Sequence, residues 1–308
     1  MINQISLILD VDTGTDDALA LAYAVRSPKI DLVAVTTVAG NVDIEKTTAN
    51  TLAVLDWLGA KEVPVHRGAS RPLVRLHRDA GYFHDEAGLD GAKISASRRT
   101  VGADRGPASI IRLAHLRPGE LTLVTLGPLT NLAIALNVEP RLPELLKSVV
   151  VMGGAFTVPG NTTPTAEFNI LVDVEAAEQV FAAPFRNLTV VGLDVTEQVA
   201  LTRLDWDAVN AGSLLAPSAS LLREVGEFAF SRLARDRFSL HDPLAVAVAI
   251  DPTLVRTEGA QIAVDTVELE RGRTRIVGPG TIRVALTVDA ERALADFRKI
   301  VELPTASD

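Results

Sequence analysis

The 308-residue chain contains no cysteine, which excludes disulfides, thiolate nucleophiles, zinc–cysteine sites and iron–sulfur ligation. Any metal it holds must therefore take oxygen or histidine ligands. Aromatic residues amount to 4% against 47% hydrophobic residues in all. The apolar content is thus mostly Ala, Val and Leu, a composition suited to parallel strands covered on both faces by helices. Basic residues are in deficit, 30 Lys and Arg against 39 Asp and Glu, and the formal charge of -9 argues against a nucleic-acid partner, which needs a basic face. Long apolar runs are missing as well. The N-terminal stretch 5–9 is cut short by Asp10, so neither a leader nor a membrane span is expected, and the chain reads as a soluble cytoplasmic protein with no membrane partner. Gly14 is isolated, and no Gly-rich loop with Lys and Ser/Thr follows a strand, so a nucleotide cofactor is not indicated.

What the chain does have is a crowd of acids near its start. Ile5, Leu7, Ile8 and Leu9 read as a buried strand, and Asp10, Asp12, Asp16 and Asp17 then fall within eight residues. Ala18, Leu19, Leu21, Ala22 and Val25 follow at helical spacing, which places the acids in a turn between strand and helix. Asp16 or Asp17 alone would read as a helix cap. Four acids, of which at most two can cap, point instead to a metal or catalytic site. Crowded carboxylates repel and raise one another's pKa, and a hard divalent cation is the simplest resolution.

The rest of the chain alternates strand and helix. Strands are predicted at 31–38, 63–65, 121–126, 148–152 and 188–192, and helices at 42–59, 108–116, 129–136 and 174–182, with Thr130-Asn131 as a cap. Residues 68–106 break the pattern with mixed Arg and Gly and read as a lid or a solvated loop. Two helices with a break at Pro217-Ser218 fill 204–237, and Leu240-His241-Asp242-Pro243 opens a helix over 244–250. Strands at 255–264, 275–277 and 281–288 and a helix at 290–301 close the chain. The expectation is a single domain over 1–308 of the α/β class, an open and mostly parallel sheet with helices on both faces. In such a sheet, side chains just past the strands' carboxyl ends share one crevice where ligands bind. Asp12, Asp17, Asn41, the Leu126 carbonyl, Met152, Asn161 and Glu167 all fall at or beyond such ends, and His241-Asp242 can join them from a helix start.

Five motifs in order, DVDTGTDDALAL, LGPLTN, MGGA, NTTPTAEFN and HDPLA, resemble the calcium-dependent nucleoside hydrolases, which cleave the base from ribonucleosides. The resemblance runs from Asp10 to Ala245 and implies a Rossmann-like core. It implies that Asp12, Asp17, the Leu126 carbonyl and Asp242 hold Ca²⁺, with ribose hydroxyls and a water completing the shell. It further implies that Asp10, Asp16, Asn41, Asn161, Glu167 and Asn169 line the metal site or grip the sugar, that Met152 packs against the ribose, and that His84 lies near the leaving base. The 218–237 segment has no tyrosine and offers Phe228, Phe230, Ser231, Arg232 and Arg235 to the base pocket. Thr13 stands where the family usually has proline. A homodimer or homotetramer is expected.

The chemistry is consistent with this resemblance. Cleaving a C1′–N bond builds positive charge on the sugar, which a carboxylate-lined cleft stabilises more in the transition state than in the substrate. Asp12 is the expected base toward water, and His241, with a reference pKa of roughly 6.5, the expected acid toward the base. Two other readings compete. Asp10-Val11-Asp12 after a strand resembles the nucleophile and acid of a haloacid-dehalogenase-like Mg²⁺ phosphatase, which leaves Asp16-Asp17 and His241-Asp242 without roles. A catalytically silent nucleoside-binding relative would need a missing ligand or base, and none is missing.

Overall fold

The computed structural model describes residues 4–76, 88–89, 91–212, 215–232, 235–267 and 269–304. Six strands, β1 (Ile5–Val11), β2 (Ile30–Thr37), β3 (Val65–Arg67), β4 (Leu121–Thr125), β5 (Ser148–Met152) and β6 (Leu188–Val191), run parallel. Two short strands, β7 (Ala200–Thr202) and β8 (Arg237–Ser239), pair antiparallel with each other. The last three, β9 (Val255–Val264), β10 (Thr274–Pro279) and β11 (Ile282–Val288), extend the main sheet, in which β11 lies parallel to β6 and β9 runs antiparallel between β11 and β10. The nine-stranded order is β10-β9-β11-β6-β5-β4-β1-β2-β3. The chain moves outward from β1 to β3, then returns to the other side of β1 to lay down β4, β5 and β6. The order therefore reverses between β1 and β4, and the crevice beyond their carboxyl ends is where such a sheet binds ligands.

The helices are α1 (Thr15–Arg26), α2 (Ile44–Trp57), α3 (Gly106–Leu116), α4 (Thr130–Val138), α5 (Leu142–Leu145), α6 (Phe168–Val172), α7 (Val174–Ala182), α8 (Leu193–Thr196), α9 (Arg203–Ala211), α10 (Pro217–Glu227), α11 (His241–Ile250) and α12 (Ala290–Ile300). Alternation along β1 sorts the two cores. Leu7, Leu9 and Val11 join one cluster with residues of α1, α2, α10, α11 and α12. Ile8 faces the other, built with α3, α4, α5 and α7.

Several expectations are corrected. β1 does not stop at the acids but runs through Asp10 to Val11, with Asp10 in register with Thr36 and Thr125. The buried carboxylate is tolerated there because Thr36 Oγ and Asn131 Nδ2 donate to its Oδ1. α1 begins at Thr15, so Asp16 and Asp17 sit in a helical first turn rather than a loop. β3 lies two residues later than 63–65. Thr130 and Asn131 do not cap α4: Thr130 Oγ donates to Asp173 and Asn131 bonds Asp10 and Ala69. The β7–β8 pair flanks the 204–237 stretch read as two helices, in segments to which the sequence pattern assigned no strand. In 68–106 the described residues before α3 form no helix or strand.

Candidate active site

β1 delivers Asp12 to the switch point, buried at 1% exposure. The turn after β2 brings Asn41, whose backbone N–H donates to Asp12 Oδ2 at 2.7 Å. Gly40 and Gly127, in the turns after β2 and β4, press on the same carboxylate. A Cβ on Gly40 would lie 2.1 Å from Asp12 Oδ2, and one on Gly127 2.7 Å from Oδ1. Asp17, at the third position of α1, reaches back so that the Asp12 N–H donates to its Oδ1 at 3.1 Å and the Gly14 N–H to its Oδ2 at 2.9 Å. Asn41 Nδ2 also donates to Asp17 Oδ2, at 3.3 Å. Asp242 enters from the first turn of α11, buried at 3%.

Asp16, Asp17 and Asp242 each present an oxygen within 4.8 Å of the others. Of the two places the resemblance allowed Asp16, lining the metal site or gripping the sugar, the structure puts it in the carboxylate cluster. Burial first, and then the charges of Asp17 and Asp16, push the Asp12 carboxyl well above its ordinary value. Burial likewise pushes up Asp242, reinforced by Asp16, Asp17, Asp12 and Glu167. The charges that raise Asp242 are all negative, so a cation placed among these carboxylates would be held by them. The donors are all hard oxygens, which fits a divalent ion of the calcium or magnesium class.

The sugar side of the crevice is built from the 153–169 loop. Glu167, buried at 2%, caps α6: Asn169 N–H donates to its Oε1, and the N–H groups of Gly154 and Ile170 to its Oε2. Gly154, at φ +84°, takes the left-handed conformation that lets this turn form. Burial raises the Glu167 carboxyl to about 7. Asn169 Nδ2 donates to the Leu126 carbonyl at 2.7 Å and lies 3.3 Å from the Met152 carbonyl, which ties the ends of β4 and β5 together. Asn161 is exposed and accepts the Phe168 N–H through its Oδ1. His84 and the side chain of Phe228 lie outside the described residues. The backbone at Phe228 begins a π-helical turn, Phe228–Arg232.

His241, half-buried at the start of α11, has Nδ1 2.8 Å from Thr196 Oγ. Burial lowers its pKa against the opposing pull of Asp16 and Glu197. The sequence shows Asp194 as an acid after the sixth strand but gives it no role. Its carboxylate accepts the N–H groups of Phe156 and Thr157 and the Thr157 hydroxyl, and so shapes the loop that follows Gly153-Gly154.

A doubly wound sheet with buried carboxylates gathered at its switch point defines an α/β protein whose crevice suits a divalent cation and a small polar ligand. The chain belongs to the family described as inosine-uridine preferring nucleoside hydrolase, whose profile matches residues 7–295. It is 37% identical over 299 residues to a non-specific ribonucleoside hydrolase of Salmonella paratyphi A, covering 95% of this chain and 96% of that protein. To the inosine-uridine preferring nucleoside hydrolase of Leishmania major it is 37% identical over 265 residues, 84% of this chain and 83% of that one. The solved structure of a purine-preferring ribonucleoside hydrolase from Gardnerella vaginalis superposes with a TM-score of 0.89 at 35% identity, covering 96% of this chain and 98% of that chain. The chemistry of the chain is accordingly nucleoside hydrolysis, and the phosphatase reading of Asp10-Val11-Asp12 is set aside. Among the described residues no helix is long and apolar enough to cross a membrane.

Proposed function

We propose that the protein hydrolyses the N-glycosidic bond of ribonucleosides by direct attack of water, in a crevice that holds one Ca²⁺. The observation that carries this reading is the meeting of Asp16, Asp17 and Asp242 oxygens within 4.8 Å, beside a buried Asp12. Asp12, Asp17, Asp242 and the Leu126 carbonyl are assigned to the ion, and the ion's contribution is to neutralise the carboxylates and polarise the groups it holds. Asp12 takes the proton of the attacking water. Asp16, Asn41 and Asn161 grip the sugar hydroxyls, Glu167 and Asn169 serve the 5′ side, and Met152 packs on the ribose. The crowded negative charge favours the cationic, oxocarbenium-like sugar of the transition state. With water as the direct nucleophile and no covalent intermediate, the configuration at C1′ inverts. His241 gives a proton to the departing base and regains it from solvent after product release, with His84 and Phe228 assigned to the base side.

The testing experiment is a panel of inosine, adenosine, uridine and cytidine assayed for released ribose, with and without chelator. Ribose release that needs a divalent ion supports the reading; no release from any of the four overturns it.

A further inference from the structure

Beyond the nucleoside crevice, a cleft of about 490 Å³ opens between α3 and α4 where β3 ends. That size lies within the range of small-molecule sites. Its apolar wall is Ile111 of α3 with Ile134 and Val138, one turn apart on α4, and Val138 stands 70% exposed. Its polar side is Arg67, Ser70 and Arg105, and no acidic side chain is among its lining residues, although the chain as a whole carries a charge of -9. Arg67 pairs with Glu45 through both of its terminal guanidinium nitrogens, and with the Glu45 side chain 65% exposed the pair is screened by solvent. The Arg67 Nε–H is buried and has no acceptor. Arg105, at the start of α3, is exposed. Two guanidiniums beside an apolar wall match an oxyanion carried on a ring, since the guanidinium fork fits carboxylate and phosphate oxygens alike.

We propose that this cleft binds a small organic anion, a phosphate or carboxylate borne on an apolar ring, at a site separate from the nucleoside crevice. The two are divided by the Gly68–Ala69 backbone and Asn131: the Ala69 N–H donates to Asn131 Oδ1 at 2.8 Å, and Asn131 Nδ2 reaches Asp10. The acidic side of that partition repels the ligand that the basic side attracts. The proposal is independent of the nucleoside reading.

The test is isothermal titration of the full chain with phenyl phosphate, benzoate and inorganic phosphate, with nucleoside hydrolysis measured separately. Phenyl phosphate or benzoate should bind saturably at one per chain, at least tenfold more tightly than inorganic phosphate, which lacks the ring. Whichever of the two binds more tightly names the ligand's acid group. Arg105→Ala, at an exposed position, should weaken binding at least tenfold and leave nucleoside hydrolysis unchanged. Absence of binding at millimolar probe, or equal binding to the Arg105→Ala variant, overturns the proposal. So does sedimentation showing that Val138→Asp dissociates an oligomer, because the cleft would then be a contact between copies of the chain.

Discussion

Asp12 accepts the Asn41 N–H while Asp17 and Asp16 raise its affinity for a proton, a setting that suits a base toward water. Replacement by Asn keeps the shape and the hydrogen bond but removes the base, so Asp12→Asn should lower turnover by about 10²- to 10⁴-fold with little change in melting temperature. Near-normal ribose release would remove Asp12 from the mechanism. His241 makes a narrower prediction. If its proton goes to the departing base, His241→Ala should cripple inosine hydrolysis yet largely spare p-nitrophenyl riboside, whose leaving group needs no proton. Equal losses on both substrates would reassign the ring to binding. At this scale the acids Asp12, Asp17 and Asp242 were legible as a group, because they do approach one another. The partners of Asn131 and Asp194 were not legible. These partners, Asp10 and the 156–157 backbone, are distant in sequence, and a polar residue at a helix start looks the same whether it caps or bonds across the fold.

The turns after β2 and β4 close on Asp12 through Gly40 and Gly127, where no side chain can be added without displacing the carboxylate. Gly40→Ala should therefore reduce turnover by about 10²-fold and weaken calcium binding, since displacements near 1 Å have effects of that size. Unchanged kinetics would show that the turn is not a clamp. The loop that ends in α6 carries the pH prediction. Burial places the Glu167 carboxyl near 7, above its ordinary value of 4.5. The folded state thus holds a proton that the unfolded chain releases, so this group's stabilisation is full below about 4.5 and is lost as pH rises through about 7. The chelated protein should melt at a lower temperature at pH 8 than at pH 5, and Glu167→Gln should flatten that slope; a slope of the same size in the variant would assign the effect elsewhere. Element identities came through the sequence because period-2 and period-3.6 patterns are strong in buried strands and amphipathic helices. Boundaries shifted where hydrogen bonding overrode composition: β1 carries an aspartate inside the sheet because Thr36 and Asn131 meet it.

At the scale of the molecule, the sheet order explains why residues from Asp10 to Asp242 meet at all. β1, β2 and β4 end side by side at the reversal of strand order, and α11 brings its first turn to the same place, against α1 and β5. The parallel core was readable from βα alternation. The antiparallel β9 and the β7–β8 pair were not, because strand direction and the pairing of three-residue strands depend on partners that a local pattern does not name. A fold that collects uncompensated acids at one point should also be stabilised by the ion that compensates them. Calcium at a hundredfold over its dissociation constant should add about 2.7 kcal/mol of stability, read as a rise in melting temperature that Asp242→Ala largely abolishes. The most direct test of the central claim is calcium content and ribose release measured on the same sample, before chelation, after it and on re-addition of Ca²⁺. The account predicts one calcium per chain, lost together with activity and restored together with it. Full ribose release from a chain shown to carry no divalent ion would contradict it.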